Sequence, residues 1–340
     1  MNMHEDVSRF CAQLGADLLL VQGAGGNVSW KEGDTLWIKA SGTWLKDALD
    51  KDIFVPVDLP DLLAALRAGS FDAKPQVLDG ATLRPSIETV LHGLLPQKLV
   101  LHIHAIDALA WLVRPHVWPE LEARLPSRWR PCFVPYRKPG AELAQVVQDA
   151  VHGNPGTQLV CMGNHGVVMA GNSLREVGEI LKDLVQALRV SPETPRARGP
   201  LVSIQVDQQR SLSPISDVVV QGLDLSRAGL ARMTECWALY PDHVVFLGGR
   251  PICHDSVDAA VQRCFQDPKL GHDQPHFIRD IGVFAFGELS PGRQAQLRCY
   301  ADVLLRQSPT QPLKVLGADE VAALLNWDAE RYRQQLDQRG

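Results

Sequence analysis

The segment Leu101-His102-Ile103-His104, inside the apolar run KLVLHIHAIDALAWL, constrains this chain more than any other stretch. Side chains two apart on a β-strand share a face, so His102 and His104 present two imidazoles side by side from a rigid element. A third histidine, His165, sits in the Asn-Gly-flanked turn of MGNHGVVMAG, and a carboxylate, Glu88, lies upstream in LRPSIETVLHG. Three neutral imidazoles with a fourth position left open form a common catalytic zinc arrangement, whereas a structural site closes with four protein ligands. Beside such a cation Glu88 can take a proton from a carbon next to a polarised carbonyl, because the cation stabilises the enediolate. The plainer alternatives are histidines that only pack and a first-turn acid that favours a helix dipole.

The surrounding pattern supplies a scaffold. Val7, Phe10, Cys11, Leu14 and Leu18 recur at helical spacing over residues 4 to 19, which predicts an amphipathic helix covering a sheet. Val28 to Trp30 and Thr35 to Lys39 read as strands around the turn Lys31-Glu32-Gly33-Asp34. Small residues gather at the outer ends of this hairpin, Gly23, Gly25, Gly26 and Asn27 before it and Ser41-Gly42-Thr43 after it. Their N–H groups and hydroxyls, with Ser86, suit a nest for a sugar phosphate, and Lys39 can add a positive charge. No GxxxxGK[ST] occurs, which disfavours nucleotide phosphates. Helices are expected over 59 to 69 and over 86 to 95 with Ser86 as N-cap, a strand over 97 to 105, and a helix over 173 to 190.

The segment SPETPRARGP holds three prolines and a glycine among polar residues and reads as a linker. The expected organisation is therefore a catalytic domain over 1–190, a linker over 191–200 and a smaller α/β domain over 201–340. In the latter VSIQV, VVFLG and FIRDIGVFAFG alternate with helices. A formal net charge of −5 leaves no basic excess for a phosphate backbone, so nucleic acid is not an expected partner. Seven dispersed cysteines without a CxxC pair fit a reducing compartment. No leader and no 18-residue apolar stretch is apparent, so a cytoplasmic protein without membrane attachment is expected. His243, His254, His272 and His276 read as surface or core residues, since Pro275 breaks the HxxxH of GHDQPHF, and Cys253 beside His254 does not by itself make a nucleophile pair.

Taken in order, GGNVSW, SGTW, RPSIET, HIH, PY and NHGVV resemble the class II aldolase/adducin family over about residues 5 to 190. The resemblance implies an α/β fold: a three-layer α/β/α domain with a mixed, largely antiparallel sheet. It further implies His102, His104 and His165 as ligands of Zn²⁺ or another divalent ion, Glu88 as acid/base, and Gly26, Asn27, Ser41, Gly42 and Ser86 around a substrate phosphate. Tyr136, in RPCFVPYRKPGAEL, matches the tyrosine that protonates the aldehyde oxygen from a neighbouring subunit, so a homo-oligomer such as a homotetramer is implied. Ser86-Ile87-Glu88 stands where fuculose-phosphate aldolases show SSE, one hydroxyl short.

YPDHVVFLGGRP, IGVFAFG and NWDAERYRQQL resemble the aldolase part of bifunctional rhamnulose-phosphate aldolase/alcohol dehydrogenases. No GxGxxG occurs, so a free-standing aldolase-like protein without nicotinamide chemistry is expected. The implied activity is zinc-dependent retro-aldol cleavage of a ketose phosphate to dihydroxyacetone phosphate and an aldehyde, a part of carbohydrate metabolism. Decarboxylation of a 3-keto sugar-acid phosphate and sugar-phosphate 4-epimerisation are family alternatives. The epimerases place an aspartate near Tyr136, and none occurs between Asp107 and Asp149. A non-catalytic adducin-like interaction module is the alternative from another class.

Overall fold

The computed structural model describes residues 2–78 and 80–338, so position 1 of the expected first domain and positions 339 and 340 of the second lie outside the described residues, as does position 79. The first half is built on a seven-stranded sheet: β1 (Asn27–Glu32), β2 (Thr35–Lys39), β3 (Phe54–Asp58), β4 (Leu99–Ile103), β5 (Pro131–Val134), β6 (Leu159–Met162) and β7 (Gly166–Gly171). The strand order is β3-β2-β1-β4-β7-β6-β5. Only β5 and β6 run parallel; the other neighbours are antiparallel. The expected mixed, largely antiparallel sheet is what forms.

Alternation along the strands separates two faces. Val28, Trp30, Leu101, Ile103, Val167 and Met169 pack under helices Met3–Gly15, Ile106–Leu112 and Leu174–Leu188. Val100, Val134, Val160, Met162 and Val168, with Leu36, Ile38, Val55 and Val57, pack under helices Leu59–Arg67, Thr89–Leu94 and Ala141–Gly153. Burial of Leu- and Val-sized side chains contributes about 1.5–3 kcal/mol each, which makes the three-layer arrangement the stable solution for strands apolar on both sides.

Strands β3 and β5 escape a reading of the sequence because each carries a proline, Pro56 and Pro131, at an edge of the sheet. An edge strand or a strand's first residue tolerates the missing N–H. The helix expected from Ser86 begins at Thr89 with Glu88 in the cap position; Ser86 instead accepts the Glu88 N–H at 3.2 Å.

The segment 191–200 is neither helix nor strand. Beyond it lies a second sheet: β8 (Ile204–Gln205), β9 (Ser211–Pro214), β10 (Ile252–His254), β11 (His276–Ile278) and β12 (Gly282–Phe286), in the order β10-β11-β12-β9-β8. VVFLG is not a strand: Val244 to Leu247 end the helix Pro241–Leu247, whose residues are all buried, and Gly248 caps it. A short apolar run does not by itself distinguish a buried helix from a strand, and Pro241 at the first turn favours the helix. Ile106, Leu109 and Val113 from the first half join the core formed by Leu239, Tyr240, Tyr300 and Val303. Arg306 pairs with Asp107 at 2.9 Å across the same junction. All seven cysteines are free, and among the described residues no helix is long and apolar enough to cross a membrane.

Candidate metal centre

Strand register assembles the site. Asn27 on β1 lies opposite His102 on β4, and Ser29 opposite Val100. All four side chains therefore share the face that helix Thr89–Leu94 covers. His104 follows the end of β4, and His165 precedes β7, so the three imidazoles meet at one end of the sheet. One ring nitrogen from each of His102, His104 and His165 lies within 4.8 Å of the others, and all three residues are buried. His165 is presented by Asn164, which adopts a left-handed conformation (φ 53°). The Asn164 amide donates to the carbonyls of Leu239 at 2.9 Å and Lys314 at 2.7 Å, anchoring the turn to the second half.

The contacts around the rings suit one tautomer of each. His102 Nδ1 donates to the Val167 carbonyl at 3.0 Å, and His104 Nδ1 faces Asp242 Oδ2 at 3.4 Å. Both Nε2 atoms then carry lone pairs, yet they lie 3.0 Å apart. Two facing lone pairs repel unless a cation stands between them, and outward hydrogen bonds from ligating imidazoles are the usual support of a bound metal. The residues thus fit a divalent ion by their own bonding pattern.

Glu88 stands beside this cluster, its two oxygens 3.4 Å from His102 Nε2 and from His165 Nε2. Asn27 Nδ2 donates to Glu88 Oε2 at 2.8 Å and also reaches Ser86 Oγ at 3.3 Å. The Asn27 carbonyl is held in turn by His92 Nε2, whose Nδ1 accepts from Ser29 Oγ at 2.7 Å. This buried chain leaves Glu88 Oε1 without a hydrogen-bond partner, on a side chain that lines the cleft. Burial raises the Glu88 carboxyl pKa, whereas the Asn27 bond and any positive charge on His102 and His165 lower it, and the balance lies below the ordinary carboxylate value.

The second half completes the cleft. Asp242, from the buried helix Pro241–Leu247, accepts from Arg333 Nη1 at 2.8 Å, and Arg333 also bonds Glu330 at 2.9 Å. Burial disfavours charge on Asp242, yet Arg333 and His104 hold its pKa well below the usual range. Glu330 and Arg333 belong to the helix Asp328–Asp337. That helix lies over the small-residue loop so closely that a Cβ on Gly42 would meet Leu336 Cδ1 at 2.4 Å.

Gly26, Asn27, Ser41, Gly42, Ser86, Glu88, His104 and His165 line one narrow cleft, with Lys39, Asp242, Glu330 and Arg333. Two of the loop N–H groups are engaged within the protein: Ser41 and Ser86 donate theirs to the Arg84 and Lys39 carbonyls at 2.9 and 3.2 Å. Lys39 is buried, its ammonium donating to the Thr43 carbonyl at 2.6 Å. Tyr136 is not brought into the cleft. It is 3% exposed, packed among Ala238, Val244, Val245 and Phe246 of the second half, and its hydroxyl has no hydrogen-bond partner. Burial pushes its phenol pKa up.

Comparison with known proteins places these observations in a family. Residues 5–191 match the model described as the class II aldolase and adducin N-terminal domain. A Bacillus subtilis (strain 168) protein named "Uncharacterized oxidoreductase YuxG" is 29% identical over 176 residues, 47% of this chain and 25% of its own length. The chain thus spans about a quarter of that relative. The N-terminal class II aldolase domain of a Thermoplasma acidophilum protein is 25% identical, covering 55% of this chain and 92% of that one, with a TM-score of 0.48. A sugar-phosphate aldolase from Thermotoga maritima is 16% identical, covering 54% and 91%, with a TM-score of 0.43. With more than half of its length matched by the family model, the chain belongs to the class II aldolase and adducin N-terminal domain family.

Proposed function

We propose that this protein is a metal-dependent aldehyde-lyase that reversibly cleaves a ketose phosphate, releasing dihydroxyacetone phosphate and an aldehyde. The observation that carries the reading is the Glu88 carboxylate held between two imidazoles of a three-histidine cluster, inside a cleft that also contains a buried lysine. His102, His104 and His165 would hold the ion, Zn²⁺ being favoured by an all-imidazole set. When bound, a divalent cation supplies Lewis-acid stabilisation of negative charge developing on the substrate oxygens. Glu88 Oε1 is the mobile-proton site: it takes a carbon-bound proton in condensation and returns it in cleavage, while Asn27 fixes Oε2. The Ser41 and Ser86 hydroxyls, the Gly42 backbone and Lys39 receive the phosphate. Glu330 and Arg333 roof the cleft and exclude water. A panel of ketose phosphates assayed for released dihydroxyacetone phosphate, with metal analysis of the same sample, tests the reading. An apo-like protein that binds no stoichiometric ion would instead support a non-catalytic module.

One observation favours a second reading. Tyr136 is buried among side chains of the second half and does not line the Glu88 cleft of its own chain. Decarboxylation of a 3-keto sugar-acid phosphate would need the same Glu88 and metal cluster but no donor to an aldehyde oxygen, with CO₂ leaving in place of the aldehyde. Product identification separates the two.

Gly166 is expected to be irreplaceable. A Cβ there would lie 2.6 Å from the Ile103 carbonyl and 2.8 Å from His104 Cδ2. Gly166→Ala should lower metal affinity by about 10- to 100-fold, the range for disturbed ligand support, as read by competition with a chromophoric chelator.

Lys39 gives a pH test. Burial, with a further contribution from Arg333, lowers its pKa to about 7. The ammonium is the anion-binding form and is lost as pH rises through that value, so KM for the phosphate substrate should rise from about pH 6 to about pH 8. The substrate's own second phosphate ionisation, near 6, works in the opposite direction. Lys39→Met should remove only the protein's part of the profile and weaken binding, as measured by KM across pH for both proteins.

A further inference from the structure

A second cluster of metal-competent side chains lies in the other half of the molecule, apart from the cleft. His254 ends β10, His276 begins β11 beside it, and Cys264 comes from the helix Val257–Gln266 that follows β10. One ligand atom from each lies within 4.8 Å of the others, and all three residues are buried. His254 Nε2 and His276 Nδ1 are 3.0 Å apart, and Cys264 Sγ is 3.7 Å from the same His276 Nδ1. A tetrahedral ion with bond lengths of about 2.0 Å to nitrogen and 2.3 Å to sulfur separates its ligands by roughly 3.3 and 3.6 Å. The cluster therefore needs only small adjustment to close on one.

The hydrogen bonds favour an ion over a plain packing contact. His276 Nε2 donates to the Gly271 carbonyl at 3.2 Å, which leaves Nδ1 with a single lone pair aimed into the cluster. Both His254 Nε2–H and the Cys264 thiol approach that one lone pair, and it can satisfy only one of them. A cation in their place satisfies all three groups: the Cys264 thiol releases its proton to solvent, His254 carries its one ring proton on Nδ1 and turns the Nε2 lone pair to the ion, and the His276 bond to Gly271 is the outward support. Gly271 is itself built for this contact. It has a φ of +60°, and a Cβ on it would stand 2.4 Å from His276 Nε2.

We propose that His254, Cys264 and His276 form a second metal site, which takes a borderline-soft divalent ion of the zinc type through one thiolate and two imidazoles, with water as fourth ligand. The ion clips the loop 267–275 onto the edge of the second sheet. Among the described residues this is the metal-competent cluster that contains sulfur, so the two sites differ spectroscopically. Cobalt(II) titrated into the full metal-free chain should load two equivalents and give a thiolate-to-cobalt charge-transfer band in the near ultraviolet. Cys264→Ser should abolish the band and reduce tight binding from two equivalents to one, and His276→Gln should do the same. A wild-type protein that binds one equivalent without the band overturns the proposal, as does Cys264→Ser retaining both equivalents and the band. Should the variants not fold, the wild-type stoichiometry and spectrum decide alone.

Discussion

Glu88→Gln should retain the divalent ion and lose about 10²- to 10⁴-fold in kcat, the range over which a positioned acid/base acts. The amide keeps the shape and can still accept from Asn27, so the buried chain Ser29–His92–Asn27 remains in place. What disappears is the unpartnered Oε1 as a proton acceptor. Metal analysis and steady-state kinetics on the same preparation check both halves. Unchanged turnover removes Glu88 from the chemistry, and loss of the ion makes it a ligand instead.

The second large effect is expected from outside the family domain. Asp242→Ala removes the carboxylate facing His104 and one of the two partners of Arg333. Metal affinity should fall about 10- to 100-fold, since an oriented imidazole loses its outward partner. Stability should fall by about 3–5 kcal/mol, because a buried guanidinium is left with Glu330 alone. Asp242→Asn, which keeps an oxygen for the His104 N–H, should recover part of the affinity. Chelator competition and denaturant unfolding read the two effects separately. If Asp242→Ala changes stability but leaves metal affinity intact, Asp242 only packs the roof and does not position His104.

Some of this was legible in the chain and some was not, for identifiable reasons. His102 and His104 are visible because the strand repeat is two, and the apolar residues around them fix which face they share. Asn27 and Glu88 stand in short motifs with turn chemistry, so both were found, although Asn27 proves to hold Glu88 as well as to line the cleft. His92 was missed: it lies one turn after Glu88 in an apolar helix and reads as core, and only the strand register brings it against Asn27 and Ser29. Asp242, Glu330 and Arg333 come from elements far along the chain, and no local pattern links them to a histidine on β4. Asp242 was further hidden because VVFLG reads as a strand when every residue of its helix is buried. Tyr136 shows the converse. Its sequence context pointed to the chemistry, and tertiary packing of the second half covers it.

The central claim is that Glu88 and the three-histidine cluster together labilise a carbon-bound proton, and it can be tested without knowing the aldehyde. Metal-loaded protein incubated with dihydroxyacetone phosphate in D₂O should exchange one prochiral hydrogen on the hydroxymethyl carbon for deuterium, as followed by proton NMR. Exchange should be lost on chelation and in Glu88→Gln. Absence of exchange in metal-loaded protein that binds the phosphate, or equal exchange in Glu88→Gln, would contradict it.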